Sequence, residues 1–323
     1  MPLFDLSLDQ LHEYRPDRAE PEDFRSFWDT TLAEARSHPL ELTLADHDLH
    51  LPLVEALDLS FNGFGGQRVR GWLLRPRGLG GDLPAVVHYL GYGQGRGEPL
   101  DWLAWPAAGF ATIVMDTRGQ GARGGTAGAT GDQAGSDSPH VEGFLTRGVL
   151  DPHDYYYRRV FTDAVRAVEV AHSLDGVDRD RVAVHGGSQG GAISLAAAAL
   201  ADGVAAAMVD VPFLSHVSRA IEVTDTRPYA ELLGFVRTHR DRVAQALATI
   251  SYFDGMTLAA HADVPALFSV ALMDPICPPS TVFAAYNHYA GPKEIDVFPY
   301  NEHEGGGTHQ SARQVRWLRE RFA

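Results

Sequence analysis

The sequence of 323 residues contains very little cysteine and no excess of positive charge. Cys277 is the one cysteine, so no disulfide bond can form within the chain. Lys and Arg together number 27 against 42 Asp and Glu, which gives a formal net charge of -15. Proteins that bind nucleic acids need basic side chains to neutralise phosphates. The charge balance therefore argues against nucleic acid as a partner.

Long hydrophobic runs are also missing. No stretch approaches the ~18 consecutive apolar residues of a membrane-spanning helix. The first residues include Asp5 and Asp9, and they lack the basic segment and the apolar core of a signal peptide. We therefore expect a cytoplasmic protein that has no membrane partner.

The most informative segment that is present runs from Gly186 to Gly190 and reads Gly-Gly-Ser-Gln-Gly. It lies between an apolar run at 181–185 and an alanine-rich run at 192–201. The pattern G-x-S-x-G between a strand and a helix is typical of the nucleophile elbow of α/β-hydrolases. The serine must occupy a strained turn with positive φ, and glycines on both sides let the strand and the helix approach closely. The segment therefore predicts that Ser188 is a nucleophile.

Short apolar runs alternate with helical segments along most of the chain. The predicted strands of the central sheet are 85–90, 111–116, 181–185, 205–210, 266–271 and 294–298, and the predicted helices include 23–37, 156–173, 193–201, 281–289 and 311–322. Two segments with alternating apolar residues, 54–61 and 67–75, predict a hairpin before this sheet. Such an order is typical of a mostly parallel sheet with helices on both faces. We therefore predict an α/β fold of the α/β-hydrolase type.

No break in composition marks a second domain, so we predict one α/β-hydrolase domain over residues 1–323. Within it we expect an N-terminal extension at 1–50, a long loop at 118–153 and a helical insertion at 213–252. The loop is rich in Gly, Ser, Thr and Asp. A structureless loop of this length usually has a function or packs against a partner.

A serine nucleophile needs a base, and the base needs a carboxylate that orients it. In α/β-hydrolases the acid and then the histidine follow the serine along the chain. Asp274 follows the predicted strand 266–271, and His303 follows the last predicted strand in a Gly-rich loop. We therefore predict a catalytic triad of Ser188, Asp274 and His303 that transfers an acyl group to water.

Both partners of the serine have rivals. His309 competes with His303, but it lies at the start of the last predicted helix, where its reach is poorer. Asp210 is the alternative acid, because it ends the predicted strand that precedes the strand leading to Asp274. A structural role as a turn carboxylate would fit Asp210 as well. Asp116 also ends a strand, but it precedes the serine and breaks the expected order.

An oxyanion hole needs two backbone N–H donors. One is the amide of Gln189, directly after the serine. The other is expected in the Gly-rich loop at 91–97, where the amide of Tyr92 is the best-placed donor. This loop lacks the spacing of a dinucleotide fingerprint, and no P-loop pattern occurs in the chain.

The sequence contains no convincing metal site. His303, Glu304 and His309 lie close together, but H-E-x-x-H is absent and the glycines between them argue against a ligand helix. Cys277 is followed by two prolines, and we expect it to be a small packing residue. We therefore expect neither a cofactor nor dependence on a metal.

Four segments together resemble those of one family, the acetyl xylan esterases and cephalosporin C deacetylases of carbohydrate esterase family 7. They are Gly91–Gly97, Asp116–Gly121, Gly186–Gly191 and the pair His303-Glu304. The resemblance extends over nearly the whole chain. It implies the same triad and the same two oxyanion donors as the residues predict.

The resemblance further implies hydrolysis of O-acetyl groups on small substrates, such as acetylated xylo-oligosaccharides, by a cytoplasmic, ring-shaped homohexamer. Arg118 and Gln120 are expected to shape structure near the site, with Arg118 buried against a carboxylate. Alternatives are a general short-chain carboxylesterase or an acyl-peptide hydrolase. The latter usually has a large N-terminal β-domain, for which residues 1–80 are too few. Outside enzymes, the alternative is a hydrolase-fold binding module that has lost catalysis.

Overall fold

The computed structural model describes residues 3–123, 125–132 and 138–323. The described residues form nine strands: β1 (Thr43–Asp46), β2 (Val54–Asn62), β3 (Arg68–Pro76), β4 (Leu83–Tyr89), β5 (Ala111–Met115), β6 (Val177–Gly187), β7 (Ala206–Asp210), β8 (Ala266–Ala271) and β9 (Lys293–Phe298). They also form eleven α-helices: α1 (Leu8–Glu13), α2 (Phe24–Arg36), α3 (Ala104–Ala107), α4 (Tyr156–Ser173), α5 (Gln189–Leu200), α6 (Val217–Val223), α7 (Tyr229–Thr238), α8 (Val243–Ile250), α9 (Gly255–Ala259), α10 (Pro279–His288) and α11 (Gly307–Arg321). Residues 124 and 133–137 of the predicted long loop lie outside the described residues.

All nine strands found in the described ranges belong to one sheet, in the order β1-β2-β3-β5-β4-β6-β7-β8-β9. Strands β1, β2 and β3 pair antiparallel, and β3 pairs antiparallel with β5. Every pairing from β5 through β4 to β9 is parallel. The predicted hairpin is β2 with β3, and the predicted mostly parallel α/β sheet is confirmed.

The central strands read as continuous apolar runs because helices cover both of their faces. Helices α4 and α5 pack against one face, together with side chains such as Val87 and Val184. Helices α3 and α11 contribute Trp105 and Trp317 to the core on the other face. Every residue of β5 and β8 is buried. Burial of apolar area on two faces stabilises these strands more than their intrinsic propensities do.

Several element boundaries differ from the predictions. Helix α5 begins at Gln189, not at 193, because the helix follows the serine turn without any intervening loop. Strand β6 begins at Val177, four residues before the predicted run. Helix α1 and strand β1 were not predicted, since each is short and largely exposed. The predicted insertion at 213–252 is helical and contains α6, α7 and α8.

The topology places the predicted functional residues at one edge of the sheet. Parallel strands end at the same edge, and ligand sites of open α/β sheets lie outside that edge. The loop at 91–97 follows β4, Ser188 follows β6 and Asp274 follows β8. The assignment of residues 1–323 to a single domain remains a prediction. None of the helices in the described ranges combines the length and apolar character that crossing a membrane requires.

Candidate active site

Ser188 occupies the sharp turn between β6 and α5, with φ 57° and ψ −119°. Its amide donates to the carbonyl of Asp210 at 2.9 Å, and its carbonyl accepts from the amide of Phe213 at 3.0 Å. A Cβ on Gly186 would collide with the backbone of Gly190, and one on Gly190 would collide with the end of β4. The strained turn and the close approach that the sequence predicts are therefore both present.

Backbone strain continues in the segment that follows β7. Val211, Leu214 and His216 have φ values of 36°, 54° and 44°, in a region that residues other than glycine rarely adopt. The amides of His216 and Val217 donate to the buried carboxylate of Asp254 at 2.8 and 2.9 Å, which holds this segment in place. Strain that concentrates beside a reactive side chain is common in active sites.

Asp274 and His303 are in direct contact. Oδ2 of Asp274 lies 2.8 Å from Nδ1 of His303. The other carboxylate oxygen accepts the amides of Ile276 at 2.8 Å and Cys277 at 3.0 Å. The aspartate side chain is fully buried, whereas 27% of the histidine side chain is exposed. The carboxylate is thus fixed in orientation, and it leaves Nε2 of the ring to face outward.

The hydroxyl of Ser188 lies beside the thiol of Cys277. Burial, together with the nearby Asp274, raises the pKa of that thiol well above its usual value. Among the described residues, no hydrogen bond joins the Ser188 hydroxyl to the ring of His303. A ring nitrogen of His303, the sulfur of Cys277 and a carboxylate oxygen of Asp274 nevertheless lie within 4.8 Å of one another.

Tyr92 lies directly beyond β4, in the loop that was predicted to complete the oxyanion hole. Its hydroxyl donates to Oε2 of Glu231 at 2.7 Å and accepts the amide of Phe144 at 2.9 Å. Burial, reinforced by the Glu231 carboxyl group, raises the pKa of Tyr92. Glu231 belongs to α7, so the helical insertion holds the ring of Tyr92. Sequence reasoning missed this contact, because 139 residues separate the two side chains.

The second predicted donor, the amide of Gln189, is the first N–H of α5, and such amides have no partner within their own helix. The Gln189 side chain accepts from Nε2 of Gln120 at 2.8 Å and from the Tyr157 hydroxyl at 3.0 Å. Oε1 of Gln120 accepts the amide of Gly93 at 2.6 Å. Gln120 thus ties the loop after β4 to the start of α5, which fixes the two predicted donors relative to each other.

Arg118 has the structural role that was predicted for it. Its guanidinium makes two hydrogen bonds to Asp163, at 2.6 and 2.7 Å, and one to the Gln67 side chain at 2.7 Å. Arg118 and Asp163 both have an exposed fraction of 0%. The pair joins the loop that follows β5 to α4, and it lies apart from the residues that line the candidate site.

The rivals occupy other positions. Asp210 accepts hydrogen bonds from Ser269 at 2.7 Å and Gln314 at 2.6 Å, which fasten α11 to the sheet. His309 lies in the first turn of α11 and packs edge-on against Phe298. In the described part of the chain, neither rival touches His303 or the acid that pairs with it. The geometry therefore favours Asp274 and His303.

A cavity of about 740 Å³ opens above these side chains and is lined by Ser188, His303 and Tyr92, among others. His88 on β4 and His185 on β6 also line it. These two residues are register partners on neighbouring parallel strands, and their Nδ1 atoms lie 2.7 Å apart. Burial, and then the neighbouring ring, lower the pKa of His88 well below its ordinary value. Sequence reasoning missed this pair, because only the register of β4 and β6 brings the rings together.

The chain is similar to known proteins over nearly its whole length. The family model described as acetyl xylan esterase (AXE1) matches residues 1–321. An acetyl xylan esterase from Paenibacillus sp. R4 is 37% identical with a TM-score of 0.89, over 98% of this chain and 99% of that one. Acetyl Xylan Esterase 1 from Thermoanaerobacterium sp. JW/SL YS485 is 33% identical with a TM-score of 0.89, over 99% and 100% of the two chains. The acetyl esterase Axe7A of Xylanibacter ruminicola is 28% identical over 313 residues, which are 95% of this chain and 68% of that protein.

Proposed function

Because the chain belongs to the acetyl xylan esterase family and is a carboxylic ester hydrolase acting on acetyl esters, we propose that Ser188, His303 and Asp274 carry out this hydrolysis through an acyl-enzyme. One observation carries the assignment. The 2.8 Å contact between Asp274 and His303 lies beside the strained Ser188 turn. This is the arrangement of a nucleophile, a base and an orienting acid.

Acylation begins when the Ser188 hydroxyl turns from the Cys277 thiol toward His303. Nε2 of His303 takes the hydroxyl proton while Oγ attacks the acetyl carbonyl carbon. Asp274 holds the proton on Nδ1 and stabilises the imidazolium that forms. The same ring then gives its proton to the departing alcohol oxygen, and the acetyl group remains bonded to the serine.

Hydrolysis of the acetyl-enzyme repeats these steps with water as the nucleophile. His303 takes a proton from the water, and acetate leaves as the ring returns the proton to Oγ of Ser188. In both steps the amides of Tyr92 and Gln189 donate to the tetrahedral oxyanion. Loss of one oxyanion donor typically lowers the rate by about 100- to 1000-fold. Gln120 does not touch the oxyanion in this proposal. Its hydrogen bonds support the rate because they hold the two donor amides in position.

The cavity supports a substrate whose alcohol part is larger than its acyl part. An acetyl group has three heavy atoms besides the ester oxygen and occupies a small part of about 740 Å³. Polar side chains of His88, His185 and Gln310 are part of the cavity's lining. These groups offer both donors and acceptors to a polyhydroxyl alcohol. Acetylated xylo-oligosaccharides and cephalosporin C-like acetates are the substrates proposed from this and from the family.

The family also leads us to propose a cytoplasmic homohexamer without a nucleic-acid or membrane partner. Sizing chromatography with light scattering measures the assembly directly. A species of six times the chain mass of 35.1 kDa is expected. A monomer at micromolar concentration would contradict this part of the proposal and would leave the catalytic assignment unaffected.

Ser188→Ala tests the nucleophile. Hydrolysis of p-nitrophenyl acetate should fall by about a million-fold, as when a serine nucleophile is removed from a comparable triad. Circular dichroism and melting temperature should stay close to those of the parent protein. Ser26→Ala, on the exposed face of α2, is the matched control. Persistent turnover by a clean preparation of the Ser188 variant would reject the assignment.

A substrate panel separates the proposed activity from its alternatives. Acetate release from acetylated xylose is compared with cleavage of longer acyl esters and of an acetyl-amino-acid anilide. Preference for the sugar acetate supports the proposal, whereas preference for long acyl chains or for the anilide supports a general carboxylesterase or an acyl-peptide hydrolase. Absence of turnover on every ester would favour the inactive binding module.

A further inference from the structure

Three side chains beneath Ser188 form a compact group of atoms that bind metals. A carboxylate oxygen of Asp274, the sulfur of Cys277 and a ring nitrogen of His303 all lie within 4.8 Å of one another. No other group of three such side chains comes this close in the described ranges of the chain. Oxygen, sulfur and imidazole nitrogen are the ligand atoms of protein zinc sites.

We propose that this group is an inhibitory site for a thiophilic divalent cation such as Zn²⁺. The ion binds Oδ2 of Asp274, Sγ of Cys277 and Nδ1 of His303. A water molecule or Oγ of Ser188 supplies the fourth position of a tetrahedral site. Sites with three protein ligands and one open position are an ordinary form of zinc coordination.

The charges of such a site balance. Zn²⁺ carries two positive charges, and the carboxylate of Asp274 carries one negative charge. Binding displaces the proton of the Cys277 thiol to solvent and leaves a thiolate. The ion with these two ligands is then neutral, which matters because Asp274 and Cys277 both have an exposed fraction of 0% and an uncompensated buried charge is costly.

Zinc binding requires these ligand atoms to rearrange. Oδ2 of Asp274 and Nδ1 of His303 are now 2.8 Å apart, whereas two ligands at ordinary zinc distances in a tetrahedron are separated by about 3.3 Å. The aspartate stays in place, because its other oxygen accepts the amides of Ile276 and Cys277. The movement therefore falls to His303, whose ring lines the cavity and opens the route by which the ion enters.

Binding at this site stops the proposed reaction in two ways. Metal coordination needs the lone pair of Nδ1, so the ring proton moves to Nε2, and the ring no longer accepts the proton of Ser188. The ion also replaces the contact between Asp274 and His303 that orients the ring. Inhibition thus rests on the proposed function, whereas metal binding itself does not.

The thiolate, a soft ligand, determines which cations the site prefers. Cys277 provides a thiolate, which favours Zn²⁺, Co²⁺ and Cd²⁺ over the hard cations Mg²⁺ and Ca²⁺. We expect Zn²⁺ to inhibit hydrolysis of p-nitrophenyl acetate and a chelator to restore the rate. Mg²⁺ and Ca²⁺ at the same concentrations should leave the rate as it was.

Cobalt substitution tests binding without reference to activity. A thiolate-to-cobalt charge-transfer band is expected when Co²⁺ is added to the full-length protein. Because Cys277 is the one cysteine of the chain, the band reports this position alone. The Ser188→Ala variant should show the same band, although it has no hydrolytic activity. A protein with the band and no esterase activity would contradict the proposed function and leave the metal site standing.

The matched variants are Cys277→Ala and His309→Ala, each compared with its own rate in the absence of zinc. Loss of the thiolate ligand should raise the half-inhibiting zinc concentration by at least about tenfold. His309 is exposed and serves as a surface histidine outside the proposed site, so its removal should leave zinc inhibition unchanged. If Cys277→Ala fails to fold, the cobalt band of the parent protein decides. Absence of that band, or equal inhibition of the Cys277 variant, would overturn the proposal.

Discussion

Asp163 and Asp274 are both fully buried aspartates that face a cationic or potentially cationic side chain, yet their surroundings differ. Asp163 makes two hydrogen bonds to Arg118, and that partner is as completely buried as the acid. Asp274 contacts one basic side chain, that of His303, which is 27% exposed. Arginine keeps its charge in proteins, whereas histidine titrates near neutral pH. The buried ion pair of Asp163 and Arg118 therefore stabilises the fold. The buried carboxylate of Asp274, whose histidine partner faces a cavity, is suited to catalysis.

The largest expected effect is the loss of activity when Asp274 is replaced. Asp274→Asn keeps the shape of the side chain but favours the wrong tautomer of His303, so kcat/KM for p-nitrophenyl acetate should fall by about 10⁴-fold. The melting temperature should change little, since the asparagine fits the same space. Steady-state kinetics with calorimetry checks both statements. A fall of less than tenfold would contradict the assignment of the acid and would make Asp210→Asn the next variant to measure.

Asp163→Asn, in the buried ion pair, should lower stability and leave activity nearly unchanged. It removes the hydrogen-bonded counter-charge of the buried Arg118 guanidinium and leaves only Asp132, at 3.6 Å, to offset that charge. Breaking a buried pair costs about 3–5 kcal/mol, and we expect a loss of at most this size. The midpoint of urea unfolding should fall accordingly, while activity per folded molecule stays near that of the parent protein. A matched double variant, Arg118→Met with Asp163→Leu, removes both charges and should recover part of the lost stability. Loss of activity at full stability would show that the pair belongs to the active site.

The smallest expected effect concerns His88 and His185, a partly buried pair without a permanent charge. Burial lowers the pKa of His88, so the folded protein resists a proton that the unfolded chain accepts near its ordinary pKa of about 6.5. This contribution to stability is present above that pH and is lost as the pH falls below it. The carboxylate of Asp210 lies 3.6 Å from Nε2 of His185.

Urea unfolding of the parent protein and of His88→Gln between about pH 8 and about pH 5 measures this contribution. One histidine changes the slope of stability against pH by at most about 1.4 kcal/mol per pH unit. The slope of the variant should be shallower by part of this amount. Equal slopes for the two proteins would mean that His88 titrates alike in the folded and the unfolded chain.

The sequence predicted the features that short segments encode. The G-x-S-x-G segment predicted the positive φ of Ser188, and chain order predicted that Asp274 and His303 would meet. The sheet was predictable because its strands are continuous apolar runs. Helix α1 and strand β1 were missed because each is short and mostly exposed, and such elements leave no periodic pattern of apolar residues.

Other contacts between distant segments could not be predicted from the sequence. The hydrogen bond from Tyr92 to Glu231 depends on how α7 packs over the loop after β4. The pairing of His88 with His185 depends on the register of two strands. Cys277 was predicted as a packing residue, and it is buried, but its contact with the Ser188 hydroxyl requires the loop after β8 to pass beneath the elbow. Each of these contacts is decided by tertiary packing, which local patterns do not encode.

The strained backbone at Ser188, Val211 and Leu214 has a consequence for how this chain changes under selection. Each such residue raises the free energy of the folded state by about 1–3 kcal/mol, so substitutions that relax the turn would make the protein more resistant to heat. The same substitutions would move the nucleophile out of its exposed position. Selection for heat resistance and selection for turnover therefore oppose each other at these positions, and variants that gain heat resistance without loss of rate should arise elsewhere in the chain.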